Sequence, residues 1–263
     1  MRKLFLTVAC LGAVLMSGNL ANADIIVTNQ DGVVTNLGSG TFESGNGQLR
    51  DDSLQITADN GGGTFILLNQ GNNNIIAQNQ TTTVDIEAGL LDVQRNTFLG
   101  NDGNGAITFN LSGGVAQFTQ FVGIARDGAE ALVTISGGDF VVDGDLLFDV
   151  RNGNGAPAGT AGNGTIDFTA GSTGTLSATT IQTDGTTNSG VAASFEAYED
   201  LFNAGQITFD GGNTGVFSEI FEVNGTTLSL VTVDDVGVAA IPEPSSLALL
   251  GFGVVGLVAR RRK

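Results

Sequence analysis

An all-β fold, drawn as a right-handed parallel β-solenoid with about 24–25 residues per coil, is what three observations in this sequence predict. Glycine supplies 40 of 263 residues, about double the ~7% of an average protein. Apolar residues make up 41% of the chain, yet they come in short alternating runs between Gly, Asn and Asp clusters, as short strands between tight turns do. A six-residue pattern also recurs along the chain, and a period of ~20–50 residues is the signature of stacked repeats. The alternative is a β-sandwich, whose strands and turns come every ~8–12 residues.

The chain opens with Arg2 and Lys3, an apolar run from Leu4 to Met16, and Ala21-Asn22-Ala23. A basic start, an apolar stretch and small residues before the cut are what signal peptidase requires. Cleavage is expected between Ala23 and Asp24, and the run is shorter than the ~20 residues of a bilayer span. Cys10, the sole cysteine, lies inside this run rather than at a lipidation site. The mature protein therefore has no disulfide, and its stability must come from packing and backbone pairing.

Basic charge is concentrated at the two ends, which hold six of the ten Lys and Arg residues. Between Asp24 and Ala240 there are 26 acids against four bases, Arg50, Arg95, Arg126 and Arg151, a net of −22. Such a surface repels nucleic acid, whose binding rests on Lys and Arg contacts to phosphate. It favours solubility, cations or basic partners.

Strand-like pieces begin at Ile25 to Val27, Val33-Val34, Leu54 to Thr57, Phe65 to Leu68 and Ile75 to Ala77. The repeat follows. Val84-Asp85-Ile86-Glu87-Ala88-Gly89 matches Phe109-Asn110-Leu111-Ser112-Gly113-Gly114 at a spacing of 25, and Val133-Thr134-Ile135-Ser136-Gly137-Gly138 a further 24 on. Ile166 to Gly171 comes 33 later, the excess lying in the Asn152 to Asn163 stretch, and Ile207 to Gly212 is a more distant copy. Within one copy Val133 and Ile135, then Phe140 and Val142, then Leu146, Phe148 and Val150 alternate inward, with turns at Gly137-Gly138 and Asp143-Gly144. Stacking copies puts Val133 over Phe109 and Ile135 over Leu111, and about eight coils, less any loops, would fit between Asp24 and Gly190. Arg95, Arg126 and Arg151 close successive copies.

A stack of strands needs capped ends. Ser194 to Gly205 reads as one helix, with Ser194 as its N-cap and Gly205 as its stop. Phe195, Tyr198, Leu201 and Phe202 share one face, which is expected to lie on the end of the stack. Phe217 to Val223 and Thr227 to Val233 read as two further strands. The division is 1–23 signal peptide, 24–193 solenoid, 194–240 capping region and 241–263 tail.

The chain contains no histidine, and no lysine between Lys3 and Lys263. Thiol nucleophiles, Ser-His-Asp triads and ordinary zinc sites are therefore excluded. Asp51-Asp52, Asp234-Asp235 and the Asp143, Asp145 and Asp149 group could supply paired carboxylates, but acids are scattered through every loop and the chain reads as a non-enzyme without cofactor. Asp102, Asp143 and Asp145, near tight turns, are weak candidates for calcium; neither an EF-hand nor a nonapeptide calcium repeat is present. Sugar binding, in a polysaccharide-binding or polysaccharide-cleaving module, is the competing function. The lack of Trp and the single Tyr198 weaken it, because flat aromatic platforms are missing.

The last residues read Ile241-Pro242-Glu243-Pro244-Ser245, an apolar run of 13 residues from Leu247 to Ala259, and Arg260-Arg261-Arg262-Lys263. The run is short for a membrane span. The basic cluster would stay cytoplasmic and place the triplet on the far side. The two prolines keep that segment extended, open to a processing enzyme. This stretch resembles the PEP-CTERM sorting signal of Gram-negative bacteria. The resemblance implies that Pro242, Glu243 and Pro244, with Ser245, are the recognition and processing site for an exosortase. It also implies export through the inner membrane to the cell surface or an extracellular polysaccharide matrix. The body is similar to the glycine-rich β-solenoid ectodomains that accompany such tails and, more loosely, to autotransporter passengers. The expected role is that of a structural or adhesive surface or biofilm-matrix protein.

Overall fold

The computed structural model describes residues 25–29, 31–38, 40–44, 49, 51–58, 63–68, 74–101, 103, 105–150, 162–182 and 190–231. The signal peptide and the sorting tail, including the short membrane helix expected at 247–259, lie outside these residues. Among the described residues no helix is long and apolar enough to cross a membrane.

The described chain is mostly β, in one sheet. Its strands are β1 (Ile25–Thr28), β2 (Val34–Asn36), β3 (Thr41–Ser44), β4 (Ser53–Ile56), β5 (Thr64–Leu67), β6 (Asn74–Ile76), β7 (Thr81–Ile86), β8 (Leu90–Val93) and β9 (Thr97–Leu99). There follow β10 (Ala106–Phe118), β11 (Val122–Arg126), β12 (Glu130–Val150), β13 (Asn163–Phe168), β14 (Thr175–Gln182) and β15 (Val191–Ala192). After helix α1 (Phe195–Asn203) come β16 (Ile207–Phe209), helix α2 (Phe217–Ile220), β17 (Phe221–Asn224) and β18 (Thr227–Leu230).

Pairing sorts these strands into three parallel ladders. In the first, Leu54 pairs with Val84, Val84 with Phe109, Phe109 with Val133, Val133 with Ile166, and Ile166 with Ile207. The five copies of the six-residue pattern thus lie side by side in the register that the repeat predicts. The second ladder runs through β3, β5, β8, Val115–Phe118 of β10, Asp139–Val142 of β12 and the first half of β14. The third joins β6, β9, β11, Leu146–Phe148 of β12 and the end of β14. Strand β12 takes part in all three. Its pairing shifts register at the corners, which curls the sheet into a half-barrel.

Why these residues make these corners follows from glycine. Gly89, Gly114, Gly138 and Gly171, the last residue of four copies, have φ of 73°, 69°, 73° and 76°, where an L side chain is strained. A Cβ on Gly138 would lie 2.6 Å from the Gly114 carbonyl oxygen of the neighbouring layer. One turn conformation must therefore recur at one place in every layer.

Inside the curl, every second residue is fully buried: Val84, Ile86, Phe109, Leu111, Val133, Ile135, Ile166 and Phe168 in the first ladder, and Leu91, Val93, Phe118 and Phe140 in the second. The Phe109, Phe118 and Phe140 rings meet at centroid distances of 5.0–6.5 Å. The third ladder differs, being buried on both sides. Its outer row forms a second apolar cluster of Phe98 and Leu147 with Ile75 and Phe121. Arg126 lays its guanidinium 4.4 Å from the centre of the Phe98 ring while its Nε sits 3.1 Å from Asp127 Oδ2. The arginine that the repeat places at the end of a copy therefore covers this outer row by a cation–π contact.

At the C-terminal end Ser194 Oγ accepts from the Ala197 amide at 3.3 Å, the expected N-cap. Tyr198, Leu201 and Phe202 are buried, and Phe195 packs on Phe217 at 5.1 Å. Burial pushes the Tyr198 hydroxyl well above its ordinary range, with a hydrogen bond to the Ala178 backbone opposing the shift, and the hydroxyl donates to the Thr226 carbonyl at 2.7 Å. β18 closes the second ladder antiparallel to β14, and β17 pairs with β18 as a hairpin.

Three features differ from or go beyond the sequence reading. The first-ladder strands from Leu54 onward form six parallel layers, with Leu54, Val84, Phe109, Val133, Ile166 and Ile207 spaced unevenly along the chain. Excursions between layers consume the residues from which about eight coils were counted. Phe217–Ile220 is a helical turn rather than strand, because Phe217 must tuck against Phe202, 5.8 Å away. Strand β3 was not foreseen: one apolar residue, Phe42, carries its inward row.

Candidate functional site

The acidic residues singled out by sequence bond to separate partners. Asp51 sits at φ 64°, and its carboxylate accepts from the amides of Gln78 at 2.7 Å, Asn79 at 2.6 Å and Gln80 at 3.1 Å, and from Asn79 Nδ2 at 3.1 Å. Burial raises its pKa, but these four donors outweigh it and hold the carboxyl below its ordinary value. A carboxylate so engaged is a clamp between layers rather than a proton donor. Asp52 is buried beside it.

The Asp143, Asp145 and Asp149 group does not converge. Asp143 Oδ2 accepts from Gln117 Nε2 at 3.1 Å. Asp145 accepts from the Thr180 hydroxyl and, at 3.5 Å, from Gln182 Nε2. Asp149 accepts from the Gly164 amide at 3.1 Å and Gln206 Nε2 at 3.0 Å. Among the described residues no group of three or more acidic, His or Cys side chains could hold a metal ion. Of the calcium candidates, Asp102 lies outside the described residues, as do Asp234 and Asp235.

What the carboxylates do instead was missed in the sequence. Asn110 Nδ2 donates to Asp85 at 2.7 Å, Thr175 Oγ1 to Asp139 at 2.7 Å, Thr208 Oγ1 to Asp167 at 2.6 Å, and Gln55 Nε2 to Glu87 at 3.3 Å. On the outer side of the sheet an acid in one layer thus faces a neutral amide or hydroxyl in the next. Like charges directly opposite would repel, and with so few bases the chain cannot separate them by salt bridges. The signal was available, since Asp85 and Asn110 occupy the same place in successive copies.

On the outer side the described rings of Phe98 and Phe121 pack edge to face on each other at 5.3 Å, and Arg126 covers Phe98. Among the described residues the exposed large apolar ones are Val33, Val34, Leu132, Val191, Phe195 and Val216. Every residue that the sequence assigns to sorting, Ala21, Ala23 and Asp24 at one end and Pro242, Glu243, Pro244, Ser245 and Arg260 to Lys263 at the other, lies outside the described residues. Their chemistry is read from order along the chain: a Pro-Glu-Pro triplet, an apolar run, a basic end.

No curated protein and no solved structure matched the chain. Residues 240–263 match the PEP-CTERM protein-sorting motif, which marks this chain as an exported protein that an exosortase sorts and processes at the cell envelope.

Proposed function

We propose that this protein is a structural or adhesive component of the cell surface or extracellular matrix, an acidic β-solenoid delivered as cargo and cut at Pro242-Glu243-Pro244. The observation that carries the proposal is the joining of a PEP-CTERM motif at residues 240–263 to a body in which Asp51, Asp85, Asp139 and Asp167 bond between layers. Three parallel ladders, in the first of which equivalent residues of successive copies pair, support the solenoid. Parallel strand connections are right-handed in about 98% of cases, which favours the right-handed form. Signal peptidase and, transiently, the inner membrane are the other partners. The protein is a substrate rather than an enzyme, and uses no cofactor.

Intact mass of the protein recovered from the envelope fraction tests this. The expected species begins at Asp24 and lacks the segment after the triplet. Substituting Pro242→Ala together with Pro244→Ala should leave the tail in place. A mature wild-type species still carrying Arg260 to Lys263 overturns the sorting role.

A further inference from the structure

The acceptor motif for an N-linked sugar, Asn-x-Ser or Asn-x-Thr with x other than proline, occurs four times in this chain, at Asn79, Asn110, Asn163 and Asn224. Two of the four are already engaged. Asn79 Nδ2 donates to Asp51 at 3.1 Å and Asn110 Nδ2 to Asp85 at 2.7 Å, so the nitrogen that would carry a sugar holds one layer to the next. The third, at Asn163, is exposed but woven into strand β13. The Asn163 amide donates to the Ala129 carbonyl at 2.9 Å and the Gly164 amide to Asp149 at 3.1 Å, while a Cβ on Gly164 would lie 2.6 Å from the Ile124 carbonyl oxygen. No enzyme can close around that motif without parting the sheet.

The fourth stands clear of the body. Asn224 pairs with Thr227 across the β17–β18 hairpin, which leaves Gly225-Thr226 as a two-residue loop. Gly225 has φ 64°, the left-handed backbone that glycine supplies at the first central position of a hairpin turn. Asn224, Gly225 and Thr226 are all exposed, and a Cβ on Gly225 would meet nothing within 4 Å. The turn is nevertheless held in place. Phe221 and Leu228 are buried at its base, and the Thr226 carbonyl accepts from the Tyr198 hydroxyl at 2.7 Å, a contact made through the backbone alone. Alternation along β17 puts Glu222 on the same outward face as Asn224, and both are exposed. Glu222 accepts from Ser229 Oγ at 3.3 Å across the hairpin. Of the four motifs, only this one has an acid two residues before its asparagine.

We propose that Asn224 carries an N-linked oligosaccharide, added after export by a membrane oligosaccharyltransferase from a polyprenyl-diphosphate-linked donor. The Thr226 hydroxyl, which can both donate and accept, and the Glu222 carboxylate, which can pair with a basic side chain of the enzyme, are the handles that hold the turn. In the transfer the lone pair of Asn224 Nδ2 forms a bond to C1 of the first sugar, and the bond from C1 to the diphosphate oxygen breaks with its electrons. One Nδ2 proton passes to a base of the transferase. The products are the glycosylated asparagine and the free polyprenyl diphosphate, and nothing is oxidised or reduced. The inference rests on export, which the tail marks, and on no part of the adhesive reading.

Intact mass and fragment sequencing of the full-length gene product, recovered from the envelope fraction of its own cell, test this. The wild type should exceed its polypeptide mass by whole sugar residues, all of them on the fragment that contains Asn224. Asn224→Gln and Thr226→Val should each return the bare polypeptide mass with unchanged circular dichroism, whereas Thr226→Ser, which keeps the hydroxyl, should retain the sugar. Asn163→Gln should leave the excess as it is. Glu222→Gln should lower the occupied fraction several-fold. A wild type of bare polypeptide mass, or an excess that survives Asn224→Gln, overturns the proposal; equal occupancy in Glu222→Gln overturns the part given to the acid. The same spectra show whether Arg260 to Lys263 remain, so a retained tail on a glycosylated protein overturns sorting alone, and a correctly cut protein without sugar overturns glycosylation alone.

Discussion

The two ends of the stack solve the same problem differently. At the C-terminal end the last strands are covered by α1 and α2, where Phe168, Phe195, Phe202, Phe217 and Phe221 form a chain of ring contacts between 5.1 and 5.8 Å. At the N-terminal end β2 and β3 stand at the edge with Val33 and Val34 more than half exposed. The comparison teaches that the repeat alone stabilises only its interior. The C-terminal end is finished by aromatic packing within the chain.

The contrast is broken most strongly by emptying the sealed end. Phe202→Ala should destabilise the protein by about 3–5 kcal/mol, as a large buried aromatic does, and expose an end that self-associates; chemical denaturation and light scattering read both effects. Next, Asp51→Asn keeps the shape and tolerates the left-handed backbone but loses charge-assisted bonds, at roughly 2 kcal/mol. Because the folded carboxyl titrates below its ordinary value of 3.8, its contribution is full above that value and is lost as pH falls through the folded pKa. The difference between wild type and Asp51→Asn in denaturation midpoint should therefore be constant near neutrality and shrink below about pH 4. A smaller effect is expected from Ser194→Ala, about 1 kcal/mol for a lost N-cap, measured by thermal unfolding. Smallest is Val34→Lys on the open edge, within about 0.5 kcal/mol of wild type in denaturation of the monomer. If Val34→Lys proved as costly as Phe202→Ala, the N-terminal end would be a packed cap and the contrast would fail.

Much of the first ladder was legible. Val84, Phe109, Val133, Ile166 and Ile207 could be aligned by eye because glycine corners mark the same place in each copy, and the helix at Ser194 declared itself by its cap and its aromatic face. Strand β3 was hidden because Thr41-Phe42-Glu43-Ser44 has one apolar residue and no repeat partner in sequence; only pairing with β5 defines it. The helical turn at Phe217 was hidden because its alternation suits a strand, and contact with Phe202 and Phe221 overrides that preference. The motif at residues 240–263 was legible, since order along the chain is what such a signal consists of.

By itself, then, the sequence determined the register of the central layers, the corner positions and the sorting tail. Each of these depends on residue identity at a regular or terminal position. Tertiary structure decided what the carboxylates do and how the ends differ. A carboxylate's role depends on the donor that the next layer brings to it, as Asn79 comes to Asp51 and Thr208 to Asp167. An end depends on which strand has no neighbour. Neither can be read from one layer, because both are properties of contact between layers.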